Sequence, residues 1–289
     1  MPRLVAAVLL AAGTALAPRA LDAQSPQRSE RIVSLSSAVT EILYAIGAGD
    51  RVVAVAQGVH YPPAATAKPM VGPARTVTAE PILAHRPTLV IGDSAVPAAT
   101  VSQLRAAGVK VTLVRGDAAS AVIPRIREIG TLVGRTVEAD GLADRVQADL
   151  ASLAAAHGGR RPRVLFIYAR GAGNAFVGGR GTGAHDLIEL AGGTNAAAMV
   201  AGYRPLTAEA VAATGAEVIV LPSRGLASVG GPDGLLALPG VAQTPAGRTR
   251  RIVAVDDQLM LGFGPRVAEA ARQLGEAIAG QTTAARSPR

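Results

Sequence analysis

Residues 31–55 read RIVSLSSAVTEILYAIGAGDRVVAV, and their rhythm decides the fold. RIVSL (31–35) is a short apolar run of strand type. AVTEILYAIG (38–47) spaces its apolar residues for one face of a helix and stops at Gly47. RVVAVA (51–56) is a second strand. Strand, helix, strand in so few residues is the opening of an α/β lobe with a parallel sheet.

The alternation continues downstream. TAEPILAHR (78–86) reads as a helix with Thr78 at its N-cap and Pro81 still in its first turn. TLVIGD (88–93), VSQLRAAG (101–108) and VKVTLVR (109–115) give strand, helix and strand. The pattern then changes. From 118 to about 157 no strand is expected, and helical spacing runs through as one long helix or two joined near Gly134. GGRRPR (158–163) breaks it, and the alternation restarts. RVLFIYA (163–169), AEVIVLP (216–222) and RRIVAVDD (250–257) are strands. TGAHDLIELAG (182–192), LTAEAVAATG (206–215), GPDGLLALPG (231–240) and PRVAEAARQLGEAIAG (265–280) are helices. The expected fold is α/β: two Rossmann-like lobes with parallel-rich sheets, 28–117 and 159–281, bridged by a long α-helix at 118–158, with a ligand cleft between the lobes.

The ends differ from the body. MPRLVAAVLLAAGTALAPRALDAQ has a positive start, a short apolar run and a small-residue exit at Ala23, so residues 1–23 are expected to be a secretory signal peptide and the mature protein periplasmic. The apolar run is shorter than a bilayer span, and with no Cys in the chain no lipid-bearing Cys is expected. Residues 282–289 read as a disordered tail.

Composition excludes several functions. Hydrophobic residues are 49% and aromatics only 2%, so the core is aliphatic and there is no stacking platform for nucleic acid, despite a net charge of +8. RGAGNAF (170–176) has Phe176 where a dinucleotide fingerprint needs its third glycine, and GGRGTG (178–183) lacks the Lys of a P-loop. Neither GxSxG nor HExxH occurs, and His60, His85, His157 and His185 are not spaced as a metal cluster. No enzyme chemistry is expected. A two-lobed nucleotide-sugar enzyme is the competing class, and detectable turnover with a nucleotide cofactor would reveal it. A scaffold that has lost its ligand is a third class, and failure to bind any tetrapyrrole or siderophore would reveal it.

One loop stands out. QGVHYPPAATAKPMVGPART (57–76) sets His60 beside Tyr61 in a chain with four His and four Tyr. Pro62 and Pro63 hold Tyr61 extended after a strand, where parallel lobes place ligand contacts.

Taken in order and spacing, RIVSLSSAVTEILYAIGAGDRVVAV, VGPARTVTAEPILAHRPTLVI, FIYARGAG, GTGAHDLIELAGGTNA, YRPLTAEAVAATGAEVIVL, GLLALPGVAQTPAGR and VDDQLMLGFGPR resemble the periplasmic haem-binding proteins of ABC importers. These belong to the class that includes vitamin B12- and siderophore-binding proteins. The resemblance covers Arg31 to about Leu274. It implies a monomer that carries haem as transported ligand to a permease dimer with its ATPase subunits. It also implies two permease-docking carboxylates, Glu41 and Glu209, one per lobe. The chain departs from the family where haem iron is usually held. Pro73 of VGPAR stands at the ligating Tyr of VG-Tyr-x-Arg, and Arg170 stands where some members have a His. Arg75 matches the family's propionate-pairing Arg, and Arg224 is suited to the same task.

Two expectations follow for the loop. His60 or Tyr61 replaces the missing iron ligand, since imidazole and phenolate both bind haem iron; His185, Tyr168 and Tyr203 are the next groups to test. Alternatively the cleft takes a corrinoid or ferric siderophore through Tyr61, Tyr203, Met260 and Arg side chains, as a Tyr-Pro-Pro loop lies beside the ligand in the B12-binding relatives.

Overall fold

The structure, a computed structural model, describes residues 30–116, 118–156, 159–171 and 173–280. The expected signal peptide (1–23), the expected tail (282–289) and His157 lie outside the described residues. The N-terminal lobe is built on β1 (Ile32–Ser34), β2 (Val52–Val55), β3 (Leu89–Gly92) and β4 (Lys110–Leu113), all parallel, in the order β2-β1-β3-β4. Both β1 and β3 are buried along their whole length, as continuous apolar runs must be when helices cover both faces. Those helices are α1 (Ser37–Ala45), α2 (Pro63–Thr66), α3 (Ala79–Leu83) and α4 (Ala98–Ala106).

The link between the lobes is a pair of helices, α5 (Val122–Leu132) and α6 (Thr136–Ala156), instead of one rod. Gly134 makes the break, at φ +66°, a backbone state that glycine adopts without strain. The two helices pack side by side, and α6 alone is 21 residues long. At their crossing, a Cβ on Gly130 would stand 2.1 Å from Ala139 Cβ. Gly130→Ala should therefore force the hairpin apart and cost about 1–3 kcal/mol. Thermal unfolding measures this, and an unchanged melting temperature would contradict the contact.

The C-terminal lobe centres on β5 (Arg163–Ala169). Three strands were not anticipated: β6 (Ala175–Gly178), antiparallel to β5; β7 (Thr194–Asn195), beside the start of β5; and β8 (Tyr203–Pro205), antiparallel to β6. The glycine-bearing stretch RGAGNAF (170–176) thus leaves β5 and enters β6, its antiparallel neighbour. Between β6 and β7 runs α7 (Gly183–Leu190), and after β8 comes α8 (Ala208–Ala213). The parallel part is completed by β9 (Val218–Pro222) and β10 (Ile252–Val255), giving the order β10-β9-β5-β6-β8. Short helices α9 (Ser223–Ser228), α10 (Gly231–Leu236), α11 (Pro245–Thr249) and α12 (Asp257–Leu261) precede the closing α13 (Val267–Ile278).

The largest apolar cluster does not stop at the lobe boundary. Ile32 and Leu89 of the first lobe join Ile126 and Leu142 of the helical link, then Phe166 and Leu274 of the second lobe. Separate clusters back the outer face of each sheet. A shared aliphatic core resists independent movement of the lobes, because opening it would expose apolar surface.

Candidate functional site

Parallel strands deliver their following loops to one end of a sheet. Here the carboxyl ends of β2 and β10 meet. The loop after β2 carries His60 and Tyr61, and the turn after β10 carries Asp256 and Gln258. His60 Nε2 lies 3.1 Å from Asp256 Oδ2, and His60 Nδ1 lies 2.9 Å from the Gly58 carbonyl oxygen. Arg266 stacks on the Tyr61 ring with its guanidinium carbon 3.5 Å from the centroid, a cation–π contact. Both residues of the loop are therefore engaged by the second lobe: His60 must leave Asp256 to turn Nε2 toward an iron atom, whereas Arg266 covers the ring face of Tyr61.

Burial works against the charge on Asp256, but the Leu259 amide, the His60 bond and charge, and Arg266 outweigh it and hold its carboxyl below its ordinary value. A depressed carboxyl contributes stability above the ordinary carboxylate range, near pH ~4, and loses it as pH falls through the folded value. Asp256→Asn should therefore reduce the difference in melting temperature between pH 3 and pH 6. An equal difference in wild type and variant would contradict this.

On the other side of the second lobe's sheet end, Tyr168 and Arg170 form a pair. Arg170 Nε donates to the Tyr168 hydroxyl at 2.5 Å, and its guanidinium lies over the same ring at 5.5 Å. Tyr203 on β8 stands next to them, its ring centroid 6.3 Å from that of Tyr168. β5 ends at Ala169, so Tyr168 is half-buried at the mouth of the sheet and Arg170 is exposed at the start of the loop. Arg75, two after Pro73 in the loop 71–77, is exposed, and so is Arg224 at the start of α9. Neither guanidinium meets an acceptor among the described residues. The Arg224 amide donates to Asp257 Oδ1 at 3.0 Å, which ties the β9 and β10 turns together.

Two expected site residues are placed elsewhere. Met260 is 1% exposed and packs in the interlobe core with Leu259 and Phe263. It lies on the apolar face of α12, turned to the core and away from exposed surface. Glu41, expected to be an exposed docking carboxylate, is 5% exposed. Arg266 grips it with Nε at 3.1 Å and Nη2 at 2.8 Å, and Gln258 Nε2 donates to it at 2.7 Å. A helix whose inward face must meet the second lobe turns this Glu toward the interior.

Glu209, by contrast, is exposed in the first turn of α8. Its counterpart in the first lobe is Glu80, also exposed in the first turn of its helix, α3. The signal for this was present in the sequence. Thr78-Ala79-Glu80 and Thr207-Ala208-Glu209 are the same tripeptide, and each Glu precedes the first residue of its strand, Leu89 or Val218, by nine positions.

His185 lies away from the strand-end loops, with Nδ1 3.2 Å from Asn195 Nδ2. It lines a cavity of about 630 Å³ formed by the start of the helical link, the end of α6, and α7. The charges there answer one another or the backbone: Arg161 pairs with Glu189 at 2.5 Å, and Asp186 accepts from the Ala119 amide at 3.0 Å.

Residues 32–259 match the family model described as periplasmic binding protein. The chain belongs to that family. Among solved structures, this periplasmic binding protein is similar to a periplasmic heme-binding protein from Roseiflexus sp. RS-1 in apo form. The two are 42% identical with a TM-score of 0.83, over 87% of this chain and 98% of the other. Its curated relatives include an uncharacterised ABC transporter substrate-binding lipoprotein of Bacillus subtilis, 28% identical over 89% of this chain and 82% of the relative. They also include a cobalamin-binding protein of Halobacterium salinarum, 27% identical over 86% of this chain and 69% of the relative. The family consists of substrate-binding components of transport systems, not enzymes, and its two-lobed plan is the one seen here. Among the described residues of this periplasmic binding protein, no helix is long and apolar enough to cross a membrane.

Proposed function

We propose that this periplasmic binding protein captures haem in the cleft and hands it to the permease of an ABC importer. The observation that carries the reading is the Tyr168–Arg170 pair. Phenolate oxygen is a haem-iron ligand. A guanidinium 2.5 Å from the same oxygen is placed to offset the charge of a phenolate bound to ferric iron. Tyr203 beside it offers an aromatic face to a flat macrocycle, and the exposed forks of Arg75 and Arg224 suit propionates. The likeness to the heme-binding protein of Roseiflexus supports the same ligand. Tyr168, whose oxygen already faces a cation, thus becomes the first candidate for iron, ahead of His60, whose ring nitrogens face Asp256 and the Gly58 carbonyl, and Tyr61, whose ring face Arg266 covers.

The likeness to a cobalamin-binding protein favours a second reading. A corrinoid brings its own metal ligands, so Pro73 would cost it nothing, and Tyr61 would serve as a wall of the cleft. Absorption spectra separate the two. Tyr168→Phe should abolish the charge-transfer band of ferric phenolate and weaken hemin binding by about 100-fold, while His60→Ala leaves the band in place. If His60→Ala alone removes the shift, the ligand belongs to the loop instead.

Docking is assigned to Glu80 and Glu209. Both are exposed and stand at equivalent positions in the two lobes, so two cations on a dimeric permease could meet them at once. The protein is read as a monomer exported by residues 1–23.

A further inference from the structure

We propose that Gln258 is the residue that sets the position of the 57–62 loop, and that it does so from the opposite lobe. The proposal rests on the reading of the cleft as a ligand site. Gln258 sits on α12 and is 5% exposed. Its Oε1 accepts from the amides of His60, at 2.8 Å, and Tyr61, at 3.1 Å. Its Nε2 donates to the Tyr61 carbonyl oxygen at 2.9 Å and to Glu41 Oε1 at 2.7 Å. One side-chain amide has two donor hydrogens and two acceptor lone pairs, and all are used.

The orientation of that amide is not free. A carboxylate only accepts, so Glu41 must face the NH₂ end, and the carbonyl end then faces the loop amides. Glu41 is in turn held by the Arg266 fork, and Arg266 covers the Tyr61 ring. Loop, helix α1 and the 256–266 segment therefore form one closed network across the lobe boundary. Any rotation that separates the lobes on this side must break it, and any shift of Gln258 moves His60 and Tyr61 together.

A second strut stands at the equivalent place in the other lobe. Glu41 lies six residues before Gly47, and Asp186 lies six before Gly192; both glycines end their helices at positive φ. Asp186 Oδ2 accepts from the Ala119 amide in the interlobe link. The first helix of each lobe thus carries an acid that bonds outside its own lobe. The loop's placement, and with it the width of the cleft on the β2–β10 side, is fixed before any ligand arrives.

The test uses the full mature chain without ligand, so it does not depend on what the cleft binds. With no native Cys, spin labels on Ala106→Cys, exposed on α4, and Ala227→Cys, exposed on α9, report the distance between lobes. Gln258→Leu should speed amide exchange at His60 and Tyr61 by about 10-fold or more, leave exchange in β5 unchanged, and broaden the interlobe distance distribution. Arg266→Lys, which keeps the charge but loses the fork, should act in the same direction more weakly. It also serves if Gln258→Leu does not fold. The double variant should be no worse than about the stronger single, because the two residues act as one unit. Unchanged exchange at His60 and Tyr61 in Gln258→Leu, or exchange raised equally everywhere, would overturn the proposal. Failure of the wild-type protein to bind hemin or cobalamin would overturn the ligand reading and leave these results standing.

Discussion

The Glu80→Ala, Glu209→Ala double variant should bind hemin as wild type does and lose haem uptake. Each exposed ion pair contributes at most about 1 kcal/mol to affinity. Two of them at separated points fix the orientation of the cleft over the permease, and losing both removes that register. Uptake by cells carrying the cognate importer should fall below about a tenth, with each single change giving a partial loss. Retained uptake in the double variant would refute the docking assignment. Titration of hemin into the same preparation is the necessary control, because it separates loss of delivery from loss of capture.

Glu41→Ala should produce the largest loss of stability. It leaves Arg266, whose side chain is 20% exposed, without its carboxylate. Burial opposes the charge on Arg266, and the bond and charge of Glu41 restore it and raise its basicity. Removing one partner of such a pair typically costs about 3–5 kcal/mol. In a chain of this size that lowers the melting temperature by roughly 6–20 °C. Glu41→Gln keeps the shape and one acceptor oxygen and should lose less. A shift within a degree or two for Glu41→Ala would contradict the buried network. The same change should also lower uptake by destabilising the fold.

Much of this was legible in the residues. The strand–helix rhythm of 31–55 placed β1, α1 and β2, and the apolar run RVLFIYA gave β5 with the bounds seen in the structure. Each is a long periodic signal that local sequence carries. The short strands β6 and β8 were not seen. They are three or four residues long, rich in Gly and Pro at their ends, and acquire strand geometry only from pairing with β5 and with each other. The division of the link into α5 and α6 was left open by a glycine that both arrangements permit.

Of the residues read as site candidates, Arg170, Tyr203, Arg75 and Glu209 lie on exposed surface. Glu41 and Met260 do not, for one reason. Each sits on a helix that faces the opposite lobe, and which face of a short helix turns inward depends on tertiary packing that a single lobe's pattern does not encode. Gln258 was overlooked because nothing about an isolated glutamine shows that four polar groups of the opposite lobe will converge on it. Glu80 was overlooked although the repeated Thr-Ala-Glu named it, since an internal repeat is informative only when the two halves are aligned on their strands.

The measurement that bears most directly on the central claim is a parallel absorption titration of the mature wild-type protein with hemin and with cyanocobalamin. The account predicts a saturable Soret shift with hemin at about micromolar concentrations or below and no saturable change with cobalamin. Saturable binding of cobalamin with no saturable Soret shift would contradict it.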